Sequence, residues 1–149
     1  MKEGIRVATI LDIPQLQIIR NSVRENILNN PSLVTLADYT SYLTVNGKGW
    51  VHIVNEHTIT GFAIIDTVKY SVWALFIDPA FEKKGIGRLL HEEMLNWHFG
   101  QNDKSLWLTT APGTRAENFY RSSGWKQTGI NKSKELIFEI SKLEWLHLK

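Results

Sequence analysis

Residues 76–90 read Phe76-Ile77-Asp78-Pro79-Ala80-Phe81-Glu82-Lys83-Lys84-Gly85-Ile86-Gly87-Arg88-Leu89-Leu90, and the fold hinges on them. Ahead of them, Tyr70 to Ile77 is apolar and aromatic and predicts a strand. Behind them, Ile86, Leu89, Leu90, Met94 and Trp97 recur near one face of a helix predicted over Ile86 to Phe99. The connection holds two glycines and two lysines. Glycine admits positive φ and lets a ligand approach the backbone closely. A helix start presents unpaired N–H groups that suit a phosphate or another anion. Strand, turn and helix therefore make a candidate anion cradle, although the same glycines also serve a tight connection without a ligand. Two nucleotide motifs are excluded. Leu90 stands where the dinucleotide fingerprint needs its third glycine, and no Gly-Lys-Ser/Thr follows the turn.

Glu82-Lys83-Lys84-Gly85-Ile86-Gly87 resembles the acyl-CoA signature of the GNAT superfamily of acetyl-CoA-dependent N-acyltransferases, Gln/Arg-x-x-Gly-x-Gly/Ala at a helix start. Glu82 departs from the usual Gln/Arg. A second block, Ala116-Glu117-Asn118-Phe119-Tyr120-Arg121-Ser122-Ser123-Gly124-Trp125, resembles the family's helix that ends in Phe/Leu-Tyr, three residues, then Gly-Phe. Seven residues before that tyrosine the family often has Asn, and this chain has Gly113. The resemblance spans nearly the whole chain and rests on the two blocks together.

The 149 residues suggest one domain, 1–149, with a sizeable core. An apolar share of 43% and a charged share of 21% suit a globular protein. The chain has no cysteine, which removes disulfides, thiolate metal sites and cysteine nucleophiles and fits a cytoplasmic location. The N-terminal residues lack a signal-peptide hydrophobic region, and no apolar run reaches membrane-spanning length. A net charge of +2 gives no basis for nucleic-acid binding.

In order, Ile5 to Ile10 predicts a strand, and Thr9 or Asp12 is placed to cap a helix with Pro14 in its first turn. Leu16, Ile19, Val23 and Ile27 extend that helix toward Asn29-Asn30-Pro31. Thr35 or Asp38 opens a second helix that closes at Asn46-Gly47. Gly49 to Val54 and Thr58 to Ile65 form a hairpin, and Tyr70 to Ile77 is the third strand of a meander. Weak alternation in the later strands predicts burial on both faces. Ser105 to Thr110 is a further strand. Thr114 and Glu117 offer a capping box for a helix over Arg115 to Ser122. Trp125 to Ile130 and Glu135 to Ile140 make a last hairpin, followed by an apolar tail with Leu143, Trp145, Leu146 and Leu148. The order β-α-α-β-β-β-α-β-α-β-β requires an α/β fold, a mixed central sheet flanked by helices. It is also the order of GNAT acyltransferases. There the strands matching Tyr70–Ile77 and Ser105–Thr110 run parallel and splay, and the segment matching Arg24 to Leu36 walls the acceptor pocket.

The resemblance implies acetyl-CoA as co-substrate, with no metal. Coenzyme A brings an anionic diphosphate and an arm with two amides. Lys83, Lys84, Gly85, Ile86, Gly87 and Arg88 would offer N–H groups and positive charge to the first. Leu75, Phe76 and Ile77 would offer a strand edge to the second. The lysines and Arg88 are equally at home on a solvated face. Tyr120 is implied as the general acid, since a phenol with a reference pKa of about 10 stays protonated and donates to the departing thiolate. Its residue-level alternative is a core tyrosine. For the general base, Glu25, His52, Asp78 and a water chain stand as alternatives, because no acidic residue lies from Val68 to Ile77. A carboxylate beside a diphosphate repels it, so Glu82 is expected to turn away. Trp50, Trp73, Trp107 and Trp125 read as core residues, with Trp73 also placed to line an acceptor pocket. His91 and His98 lack partners for a metal site. The implied activity is transfer of acetyl to a small-molecule or peptide amine, without nucleic acid or membrane as partner. The apolar tail would pack on the sheet or against a second subunit in a homodimer. A non-catalytic acyl-CoA-binding regulator or sensor is the competing reading.

Overall fold

Thr58–Asp66 forms strand β3, every residue of which is buried after Thr58. Successive side chains of a strand point to opposite faces, so such a run needs cover on both sides. Phe62 and Ile64 enter one core, with Leu16, Ile19 and Tyr39. Ala63 and Ile65 enter the other, with Leu90, Met94, Leu106 and Phe138.

The computed structural model describes residues 3–26 and 34–148. The remaining elements are β1 (Glu3–Val7), α1 (Ile13–Ser22), α2 (Leu36–Leu43), β2 (Gly47–Val54), β4 (Ser71–Ile77), α3 (Ile86–Gln101), β5 (Leu106–Thr110), α4 (Arg115–Ser122), β6 (Lys126–Ile130), β7 (Leu136–Ile140) and α5 (Lys142–His147). This is the expected order with one helix added at the end. The strands form a seven-stranded sheet in the order β1-β2-β3-β4-β5-β7-β6. All neighbours are antiparallel except β4 and β5, which are parallel. Helices α1 and α2 cover one face, and α3 and α5 the other, where Trp145 joins the core.

Local chemistry explains most boundaries. Thr35 caps α2, and Thr35 and Asp38 exchange both bonds of a capping box. Ser141 and Glu144 do the same for α5, which turns the predicted apolar tail into a helix against the sheet. The first helix is shorter than predicted. It ends at Ser22, Val23 is extended, and Asn26 has φ of 54°, a left-handed conformation that no helix continues through. The expected stop at Asn29-Asn30-Pro31 and the helical place of Ile27 lie outside the described residues. The first strand also stops early, at Val7, and residues Ile10–Asp12 make a 3-10 turn. Trp107 departs from its expected core place. It is 37% exposed, with its indole N–H donating to the Lys69 carbonyl.

Candidate active site

The site grows from a gap in the sheet. Along β3, Phe62 pairs with Phe76 and Ala63 with Leu75. Ile64 then pairs with Ala74 and Ile65 with Val72, so Trp73 is the extra residue of a bulge that twists β4. On its other edge β4 pairs with β5 only at Ser71 and Trp107. Beyond that bridge the two parallel strands diverge, and the β5-side backbone groups of β4 up to Ile77 face no strand among the described residues. This is the splay implied by the resemblance.

At the end of β4, Asp78 caps a 3-10 turn, accepting from the Ala80 N–H at 2.9 Å. The chain then turns through Lys83 (φ 61°) and Gly85 (φ 81°) into α3. Gly85 is the N-cap and has no side chain to satisfy the helix start. The first bond into the helix runs from the Leu89 N–H to the Gly85 carbonyl at 3.2 Å. The N–H groups of Lys84 to Arg88 find no acceptor among the described residues. A Cβ built on Gly85 meets nothing within 4 Å, and on Gly87 only Ile77, at 3.8 Å. Five donors thus surround open space that larger residues would fill, and the helix dipole adds positive potential there.

A cleft of ≈ 670 Å³ lies against these donors. All nine residues expected to hold coenzyme A line it: Leu75, Phe76, Ile77, Lys83, Lys84, Gly85, Ile86, Gly87 and Arg88. Lys83, Lys84 and Arg88 form no ion pair among the described residues. A second cavity, of ≈ 580 Å³, fills the splay between β4 and β5. It shares Asn26, Leu75, Phe76 and Ala116 with the first, so the two cavities adjoin along these residues.

Tyr120, on α4, lines the second cavity. It is 7% exposed and packs edge-on to Phe119 and Trp125. Burial pushes its phenol well above the ordinary value, so it is held protonated. Trp73 lines the same cavity and stacks on Tyr42 at 4.5 Å.

The base candidates are scattered. Glu25 lines the first cleft, where its Oε1 accepts from the Arg115 N–H at 2.9 Å. His52 and Asp78 line neither cavity. His52 is buried against Thr60, 2.7 Å from its hydroxyl, and burial lowers its pKa. His91 accepts from the Trp125 indole N–H at 2.9 Å, and His98 contacts the Lys104 carbonyl at 2.7 Å.

Glu82 does not turn away. It lines the cleft with its carboxylate 2.8 Å from Arg115 Nη2. Arg115 neutralises the one acidic departure from the family motif, a role that no spacing along the chain reveals. Gly113 has φ of 76°, a conformation that Asn tolerates better than other non-glycine residues. Its N–H donates to Glu117 Oε1 at 2.8 Å, so Glu117 satisfies Gly113 and completes no capping box with Thr114. Asn26 ties the splay's far side, donating to Thr110 Oγ1 at 3.3 Å and accepting from the Ala111 N–H at 3.0 Å. Arg20 and Glu135, remote in sequence, also face the second cavity.

The parallel pair thus opens beside a Gly-rich helix start. Residues 16–125 match the model of the acetyltransferase (GNAT) family, and the chain belongs to that family. It is 29% identical over 126 residues, 81% of each chain, to a peptidyl-lysine N-acetyltransferase of Salmonella typhimurium. Among solved structures it is similar to the PaiA N-acetyltransferase of Thermoplasma acidophilum in complex with coenzyme A. The TM-score is 0.81 at 16% identity, over 95% of this chain and 99% of that one. It is also similar to the spermidine/spermine N-acetyltransferase SpeG of Vibrio cholerae, with a TM-score of 0.71 at 16% identity, over 99% and 98% of the two chains. Among the described residues no helix is long and apolar enough to cross a membrane.

Proposed function

We propose that this single domain transfers acetyl from acetyl-CoA to a primary amine by direct attack. The observation that carries the reading is the adjacency of two cavities that share Leu75 and Phe76, one against the unpaired amides of Lys84 to Arg88, the other lined by Tyr120. The diphosphate takes the amides, and Lys83, Lys84 and Arg88 add attraction. The arm runs along the open edge of Leu75 to Ile77, as an added strand. This sets the thioester where the cavities meet, beside Leu75 and Phe76.

The acceptor enters the splay. Its nitrogen attacks the thioester carbon to give a tetrahedral intermediate, and an unpaired β4 N–H steadies the oxyanion. Glu135, the one carboxylate lining that cavity among the described residues, draws in the amine and takes its proton through water. The C–S bond breaks as Tyr120 gives its proton to the departing sulfur. The products are the amide and coenzyme A. The proton held by Glu135 then passes through water to Tyr120, which returns both groups to their starting states.

The test is free-thiol release from acetyl-CoA over a panel of amines. Acetyl-dependent, amine-dependent thiol supports the reading. Tight acetyl-CoA binding with no thiol from any amine contradicts it.

A further inference from the structure

Arg20 stands in the last turn of α1, where positive charge suits the helix C-terminus. Its side chain forms part of the wall of the acceptor cavity, with Trp73, Phe76, Thr110, Tyr120 and Glu135. Nη1 is buried and has no hydrogen-bond partner among the described residues. Elsewhere, Arg6, Arg115 and Arg121 each hold a carboxylate at 2.8, 2.8 and 2.9 Å, respectively. Arg20 holds none among the described residues. Its guanidinium carbon lies 4.1 Å from the centre of the Phe76 ring, a contact weaker than a carboxylate would give. Burial accordingly lowers its pKa. A partly desolvated cation without a counter-charge carries a cost that a ligand's carboxylate would offset.

Glu135 carries the cavity's other charge. Its Oε1 accepts from Asn131 Nδ2 at 3.1 Å, and it forms no ion pair with Arg20. One cation and one anion, held apart in ≈ 580 Å³, match one small molecule bearing both a carboxylate and an amine. We propose that Arg20 binds a carboxylate of the acceptor, so that the preferred substrate is an amino-acid-like amine and not a polyamine. This rests on the acetyl-transfer reading above. The carboxylate could belong to a free amino acid or to an acidic residue beside the amine of a peptide.

The experiment compares kcat/KM for two matched pairs. One is lysine against cadaverine, its decarboxylated counterpart. The other is a short peptide with lysine next to aspartate against the same peptide with asparagine. A preference of at least about tenfold for the carboxylate in one pair is expected, and the pair that shows it identifies the source. Arg20→Met should collapse that ratio toward one, while Arg20→Lys keeps part of it. The thermal midpoint of Arg20→Met should hold or rise, since a half-buried cation with no carboxylate beside it is lost. Equal or reversed ratios in both pairs, or a ratio that survives Arg20→Met, overturn the assignment and leave acetyl transfer standing. Absence of thiol from every amine fails the transfer reading instead. Calorimetry of lysine binding to the coenzyme-A-loaded protein then decides for Arg20: heat lost in Arg20→Met supports it, and no heat in the wild type overturns it.

Discussion

Arg115 Nη2 lies 2.8 Å from Glu82 Oε1, across the mouth of the cleft that faces the Gly-rich turn. Both side chains are partly exposed, so the pair adds only about 0–1 kcal/mol to stability. Its consequence is for the ligand. Glu82 would repel a diphosphate, and Arg115 cancels that charge where the anion is expected. Arg115→Ala should weaken coenzyme A binding by about tenfold, and Glu82→Gln added to it should restore most of the loss. Calorimetric titration of the three proteins checks this. Equal affinities would show that the pair lies outside the anion's field.

Space at the turn is the second claim. Gly87 keeps its backbone open to the cleft, and a Cβ there meets only Ile77 at 3.8 Å. Gly87→Ala therefore adds its methyl group without a clash and narrows the cradle, and Gly87→Val fills it further. Binding of acetyl-CoA should fall by about a hundredfold or more, with the thermal midpoint shifted by only a few degrees. Unchanged binding would place the diphosphate elsewhere.

Tyr120 separates chemistry from packing. Tyr120→Phe keeps the ring contacts with Phe119 and Trp125 and removes the hydroxyl. The expected result is a drop in kcat of about 10²-fold or more with little change in KM for acetyl-CoA. A kcat within twofold of wild type would make the residue a core tyrosine.

Acid should destabilise the fold before carboxylates titrate. Burial lowers the pKa of both His52 and His98, although Glu3 and the Lys104 carbonyl partly oppose it. The folded chain therefore refuses protons that the unfolded chain accepts below about pH 6.5. Stability falls as pH drops through that window, because the unfolded state then binds more protons. The urea midpoint at pH 5.5 should be lower than at pH 7.5, and the double variant His52→Gln, His98→Gln should narrow the difference. A midpoint independent of pH would contradict the assignment of both imidazoles as neutral.

Much of this was legible in the chain because its signals are local. Thr35 with Asp38, Pro14 in a first turn, and Gly85 before an apolar periodic run each act over a few residues, and each element follows. The run from Thr58 to Ile65 announces two buried faces by its lack of alternation. What was not legible depends on contacts across the fold. Nothing near Glu82 points to Arg115, 33 residues on, and nothing near Arg20 points to Glu135. The short first helix was missed because apolar spacing through Val23 and Ile27 suits a helix, while Ser22 and Asn26 take other conformations. Trp107 reads as core by composition, yet its indole lies outside, bonded to Lys69. The last helix was signalled by Ser141 and Glu144, a capping box hidden beneath the apolar tail.

The amides of Lys84 to Arg88 are expected to receive the diphosphate. Their proton and nitrogen shifts, followed by NMR during titration with coenzyme A and with pantetheine, report on each of the five donors. Coenzyme A should move these proton resonances downfield as charged hydrogen bonds form, while pantetheine, which lacks the diphosphate, leaves them near their free positions and perturbs Leu75 to Ile77. Five resonances unmoved at saturating coenzyme A, or moved equally by pantetheine, would contradict that expectation.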